Sequence, residues 1–126
     1  METSVSIEAP AAAAWNLLID TRRWPEWGPS VSAVSCGERY IASGSSGWVT
    51  TVVGLKLPFR ITEFTPGFRW AWKVSGIQAT SHRIEPVGAD RCRLIFWVPF
   101  WAAPYLGICR LAEERIKRIL EEEQSL

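Results

Sequence analysis

The sequence predicts an α+β fold in which a curved antiparallel sheet of about seven strands surrounds a long C-terminal helix, with two short helices after the first strand. Three observations carry this. β-type signals run almost unbroken from Ser30 to Val98, interrupted only by short Gly and Pro turns. From about Pro104 to Glu123, apolar residues recur at three- and four-residue steps. Between the first strand and the sheet lies an alanine-rich segment headed by proline.

Val5 and Ile7 alternate with Ser4, Ser6 and Glu8, the period of a half-buried strand. Ala9-Pro10 ends it, and residues 10–19 follow as a short helix. Asp20 opens a second helical turn through Arg22, Arg23 and Trp24, with Pro25 and Gly28 closing it. Strands are then expected near 30–36, 47–54, 58–65, 68–75, 78–86 and 90–98. Connections as short as Thr65-Pro66-Gly67 favour antiparallel hairpins. In the last helix Ile108, Leu111, Ala112, Ile116 and Ile119 mark an apolar face. Glu113 with Lys117 and Glu114 with Arg118 form i,i+4 pairs opposite it. Some 20 residues make roughly 30 Å of helix, enough to cross the whole sheet. A curved sheet gripping one helix leaves a concave apolar gap, the kind of place ligands favour.

The chain has 126 residues, consistent with one domain spanning 1–126. It is 48% hydrophobic, with eight Trp and five Phe, more indole than packing alone needs. Fourteen basic and thirteen acidic side chains are interleaved, for a net charge of +1, which argues against a nucleic-acid partner. Three cysteines, Cys36, Cys92 and Cys109, lack motif spacing and read as reduced thiols of a cytoplasmic protein. Met1-Glu2-Thr3-Ser4 shows no signal-peptide pattern. The uncharged run from Leu94 to Cys109 is shorter than a membrane span of about 20 residues and carries Pro99 and Pro104. No integral membrane segment is expected, and no cofactor. With a single histidine and scattered cysteines, no metal site is expected either.

Val5 to Val31 (VSIEAPAAAAWNLLIDTRRWPEWGPSV), Phe59 to Trp72 (FRITEFTPGFRWAW), Ser81 to Leu94 (SHRIEPVGADRCRL) and the C-terminal amphipathic helix together resemble the START/pollen-allergen/polyketide-cyclase (SRPBCC) superfamily, in its bacterial polyketide cyclase/dehydrase-like branch. The resemblance covers nearly the full chain and implies a helix-grip fold. It is poor for activity, because members include carriers, receptors, lipid-transfer domains, cyclases and quinone-biosynthesis helpers. Many members carry a glycine-led segment before the last helix. Here Trp97 to Pro104 supplies two prolines and two indoles instead.

Strand parity nominates the inward side chains. Phe59, Ile61 and Glu63 share one face, as do Phe68, Trp70, Trp72 and Val74. Thr80, His82 and Ile84 form a third set, and Cys92, Leu94, Phe96 and Val98 a fourth. Parity in 47–54 leaves Trp48/Thr50/Val52 and Val49/Thr51/Val53 open. Trp24 and Trp27 either cap the cavity or wedge the short helices onto the sheet. His82 is an acid, base or ligand donor in an apolar cup, or a core histidine satisfied by backbone or Thr80. Glu63 is a base of raised pKa, a salt-bridge partner, or a strand-end carboxylate in water. Arg115 falls on the wheel between Leu111 and Ile119, beside Ile108. There it is a cationic ligand anchor, or a snorkelling or ion-paired arginine, with Glu63 as one partner.

The expected function is binding of a small hydrophobic, aromatic or polyketide-like ligand between sheet and C-terminal helix. The expected contacts are Phe59, Ile61, Trp70, Trp72, Thr80, His82, Leu94, Phe96, Ile108, Ala112 and Arg115. The alternatives are a cyclase or dehydratase using His82 and Glu63, and a lipid or quinone chaperone presenting Trp97 and Trp101. A homodimer is compatible with either.

Overall fold

The computed structural model describes all of residues 1–126. Strand β1 (Glu2–Ile7) leads into helix α1 (Ala11–Ile19), a 3-10 turn (Thr21–Arg23) and the single-turn helix α2 (Trp24–Trp27). Six strands follow: β2 (Val31–Cys36), β3 (Ser46–Thr51), β4 (Lys56–Thr65), β5 (Arg69–Val74), β6 (Ile77–Pro86) and β7 (Cys92–Trp97). A second 3-10 segment (Phe100–Tyr105) enters helix α3 (Leu106–Gln124). Pro25 lies inside α2 rather than ending it, at a first-turn position where its missing N–H costs nothing.

The strands form one antiparallel sheet ordered β1-β7-β6-β5-β4-β3-β2. The meander β2–β7 has only short connections, and β1 adds at the far edge with Val5 opposite Leu94. This is the helix-grip architecture expected. No helix is long and apolar enough to cross a membrane.

Register breaks between Val31 and Ala33, Ile61 and Glu63, and Ala71 and Lys73. Such bulges bend the strands and increase their twist, curling the sheet. The break in β4 also reverses parity. Ile61 is buried, and beyond it Phe64, not Glu63, turns inward to pack on Trp15 at 5.5 Å. In β3 the parity resolves in favour of Val49, which is buried while Trp48 is exposed. Phe68 precedes β5 and lies exposed rather than inside.

The concave face is packed solid where α1 and the C-terminal half of α3 cover it. Ile7, Leu18, Ile84, Leu94, Ile116 and Leu120 meet there, all essentially inaccessible. Polar contacts hold α3 at this end: Lys117 Nζ donates to the Ser6 carbonyl (3.0 Å), the Glu8 amide donates to Glu121 (2.9 Å), and Arg23 pairs with Glu123 (2.7 Å).

Helix α3 presents Cys109, Ala112, Glu113, Ile116 and Leu120 to the sheet. That face is rotated from the one read off the wheel. Leu111 is 45% exposed, whereas Glu113 is 1% exposed. Lys117 accordingly pairs with Glu121 and not with Glu113.

Candidate functional site

Toward the N-terminal half of α3 the packing opens into two adjoining cavities. The deeper, of about 40 Å³, lies between the sheet and α3 and is walled by Trp27, Trp70, His82, Phe96, Ile108 and Ala112 among others. The larger, of about 460 Å³, lies between β2–β6 and the 3-10 segment before α3; Val31, Leu57, Val74, Val98, Pro99 and Trp101 contribute to its walls. Ser30, Val31, Trp72, Thr80 and Tyr105 line both, so the two chambers meet at a shared throat. On one side of that throat the hydroxyls of Ser30 and Tyr105 are 2.7 Å apart, tying the α2–β2 connection to the foot of α3.

Local chain chemistry explains this layout. Trp97 to Pro104 cannot run straight into a helix. Pro99 is extended (φ −63°, ψ 151°), and the chain then turns through the 3-10 segment, which walls the larger cavity. The segment leaves Phe100 81% and Trp101 58% exposed. Ile77, the first residue of β6, is also exposed and lines the same cavity.

The throat is polar on its sheet side. The Trp72 indole N–H donates to Thr80 Oγ1 at 3.0 Å, and that oxygen lies 2.8 Å from Nε2 of His82. Indole is only a donor, so Thr80 Oγ1 accepts from Trp72 and is left to join His82 in either sense. His82 is 2% exposed and sits 4.0 Å, ring centre to ring centre, from Trp70, with Phe96 edge-on at 4.7 Å. Burial drives its pKa down to about 3, weakly opposed by the Trp70 backbone, so it is neutral at physiological pH. Nδ1 makes no well-formed hydrogen bond. Burial likewise raises the Tyr105 phenol and pushes the Cys109 thiol up to about 12. No Lys, Arg, Asp or Glu lines either cavity, and every lining group that titrates is uncharged near neutrality.

Of the residues nominated from the sequence, Trp70, Trp72, Thr80, His82, Phe96, Ile108 and Ala112 wall these chambers. Phe59, Ile61 and Leu94 face inward but belong to the solid core; Phe59 is wedged between Trp24 and Trp72 at 5.4 and 5.6 Å. The inward placement of Glu63 is corrected. Of its three readings the base gives way to the solvent-facing, salt-bridged carboxylate: the β4 bulge turns it outward, where it pairs with Arg69, and it lines neither cavity. Arg115 is corrected as well. It is half-buried on the flank of α3, lines neither chamber and pairs with no carboxylate, Glu63 included.

The choice left open for Trp24 and Trp27 resolves one way for each, and sequence reasoning missed Tyr105 and Glu113. Trp27 is a wall of the deep chamber, facing both His82 and Phe96, while Trp24 is the wedge: it stacks on Trp70 at 5.5 Å and donates its N–H to the Leu18 carbonyl at 2.9 Å. Tyr105 stands at the throat. The charge buried on α3 is Glu113 and not Arg115. Burial pushes the Glu113 pKa up to about 7, and the Thr3 side chain and Phe96 backbone only partly offset it.

A family model described as polyketide cyclase/dehydrase and lipid transport matches residues 1–123. No curated protein matches the chain in sequence. Among solved structures, XoxI of Bacillus cereus superposes with a TM-score of 0.76 at 12% identity, over 98% of this chain and 96% of its own. The ZhuI aromatase/cyclase of a Streptomyces species gives 0.74 at 15% identity, over 96% and 92%. A truncated norcoclaurine synthase of Thalictrum flavum gives 0.66 at 11% identity, over 94% and 91%. At such identities the likeness is one of fold.

Proposed function

The chain belongs to the polyketide cyclase/dehydrase and lipid transport family, and on that premise we propose that it binds a small, uncharged, largely apolar molecule in the paired cavities. The observation that carries this reading is the 460 Å³ cavity joined to a chamber walled by indoles, with no charged side chain in either lining. That volume lies within the usual range for small-molecule sites, about 300–1,000 Å³. An ion entering an uncharged apolar site would shed its hydration without compensation. An aromatic or polyketide-like ring system has the matching shape and polarity.

Binding without turnover is favoured over cyclase or dehydratase chemistry. Acid–base catalysis needs a group that exchanges protons near the working pH. His82 is held neutral down to about pH 3, and Glu63 points away. Native mass spectrometry of protein purified from its own host tests the proposal. A stoichiometric apolar adduct that dissociates on denaturation supports it; a bare protein that also fails to take up flat aromatic probes at micromolar concentration refutes it.

A second reading, a carrier that hands its ligand to another apolar surface, is favoured by one observation. Ile77 and Trp101, at the rim of the larger cavity, are more than half exposed, as is Phe100 beside them. Cytoplasmic location and homodimerisation belong with this proposal, through the free cysteines and the same apolar rim.

A further inference from the structure

The larger cavity lies among three chain segments, each of which contributes to its walls: 50–57 around the β3–β4 turn, 73–78 around the β5–β6 turn, and 98–105 before α3. They hold 22 of the 126 residues but seven of the fourteen large apolar side chains exposed on the whole molecule. Val52, Val53 and Leu55 belong to the first, Ile77 to the second, and Phe100, Trp101 and Tyr105 to the third. Gly54 and Gly76 take left-handed φ (88° and 76°), so both hairpins reverse tightly and leave the apolar residues beside them at the end of the sheet. Single exposed apolar residues are ordinary, but a group of them around one cavity marks an interaction surface.

The charge of this rim selects its partner. Fourteen basic and thirteen acidic side chains are interleaved along the chain, yet the three segments carry Lys56 and Lys73 and no acid. Each lysine is exposed and directly precedes a wall residue of the cavity, Leu57 or Val74. Neither is in an ion pair; Lys56 lies instead 5.4 Å from the centre of the Trp48 ring. A second copy is the weaker occupant, because a two-fold contact repeats one patch on both subunits and would set these lysines against each other with no carboxylate between them. A bilayer of anionic phospholipid answers every feature of the rim. It offers an apolar interior, an interfacial layer that suits Trp and Tyr, and negative charge for the lysines.

We propose that this rim docks on the surface of an anionic phospholipid bilayer, with the larger cavity against the lipid. The proposal rests on the carrier reading above and names the apolar surface with which the ligand is exchanged. A ligand passing directly between bilayer and cavity never exposes its apolar body to water.

Cosedimentation of the intact protein with sucrose-loaded vesicles tests this, comparing phosphatidylcholine alone with phosphatidylcholine mixed with phosphatidylglycerol. Binding to the mixed vesicles should be at least about tenfold tighter, since each lysine near an anionic surface adds about fivefold. Lys56→Gln combined with Lys73→Gln should remove that preference. Val53 and Phe100 line neither cavity. Val53→Asp and Phe100→Asp should therefore each weaken vesicle binding about tenfold, while the flat aromatic probe 2-acetylnaphthalene binds as it does to the parent. No vesicle binding, or equal binding to both lipids, overturns the proposal. Binding that survives both aspartate variants overturns it too, because the contact then lies elsewhere. A dimer in sedimentation velocity that the mixed vesicles fail to dissociate would make a second copy the occupant. Vesicle binding as expected by a protein that takes up no 2-acetylnaphthalene would uphold the docking surface and sink the ligand-binding function.

Discussion

The Thr80 hydroxyl stands 2.8 Å from Nε2 of His82 while accepting the Trp72 indole N–H at 3.0 Å, so one small side chain on β6 satisfies a buried imidazole and a partly buried indole. Thr80→Val keeps the volume and removes the hydroxyl. It should cost about 1–3 kcal/mol in urea unfolding, because both partners lose their bond in a dry site. Thr80→Ser should recover most of that. A valine variant as stable as the parent would show that the hydroxyl adds nothing there.

Glu113 and His82 pull the pH dependence of stability in opposite directions. Buried Glu113 holds its proton up to about pH 7, against 4.5 ordinarily. Its contribution is complete below pH 4.5 and is lost as pH rises toward 7, with a slope of about 1.4 kcal/mol per pH unit at most. His82 resists protonation until about pH 3, against 6.5 ordinarily, so stability is lost as pH falls below 6.5. Glu113→Gln should match the parent at pH 4 and exceed it at pH 8 by on the order of 1–3 kcal/mol. Chemical denaturation at the two pH values decides it; an equal difference at both would mean the carboxyl does not titrate in this range.

Arg115 and Glu63 should both prove dispensable for binding. Arg115→Met removes a half-buried flank charge and is expected to change stability by no more than about 0.5 kcal/mol. Glu63→Gln breaks a solvent-exposed pair with Arg69 and should cost less than about 1 kcal/mol. Calorimetric titration of 2-acetylnaphthalene and of naphthalene-2-carboxylate should give the same ratio of affinities in both variants as in the parent. A selective loss of the carboxylate in Arg115→Met would return that arginine to the ligand site.

These two residues also show how far the sequence could be read. The element order, the hairpin pattern and the inward sets Trp70/Trp72 and Thr80/His82/Ile84 were legible because these residues keep the two-residue period despite the β5–β6 register break after Ala71. Glu63 was misplaced because the bulge after Ile61 inserts one residue that leaves no mark in an apolar/polar pattern. Arg115 was misplaced because the wheel was oriented by Ile108, Leu111 and Ile119, with every glutamate taken as outward. The true face turns on Cys109 and Glu113, one a small thiol and the other a carboxyl whose pKa burial raises to about 7. The unpartnered indoles could not be read at all. Trp27 and Trp70 look like Trp24 and Trp72 in sequence, and only the fold shows which N–H groups find an acceptor.

Ligand binding by this protein depends on the paired cavities. Intrinsic fluorescence titration with 2-acetylnaphthalene should report stoichiometric binding with a micromolar Kd, about −8 kcal/mol, through Trp70 and Trp72. Val74 lines only the larger cavity, so Val74→Trp should fill that space and weaken binding at least tenfold, about 1.4 kcal/mol, without unfolding the sheet. Saturable binding that Val74→Trp abolishes is the expected result. No binding by the parent, or undiminished binding by a folded Val74→Trp, would contradict it.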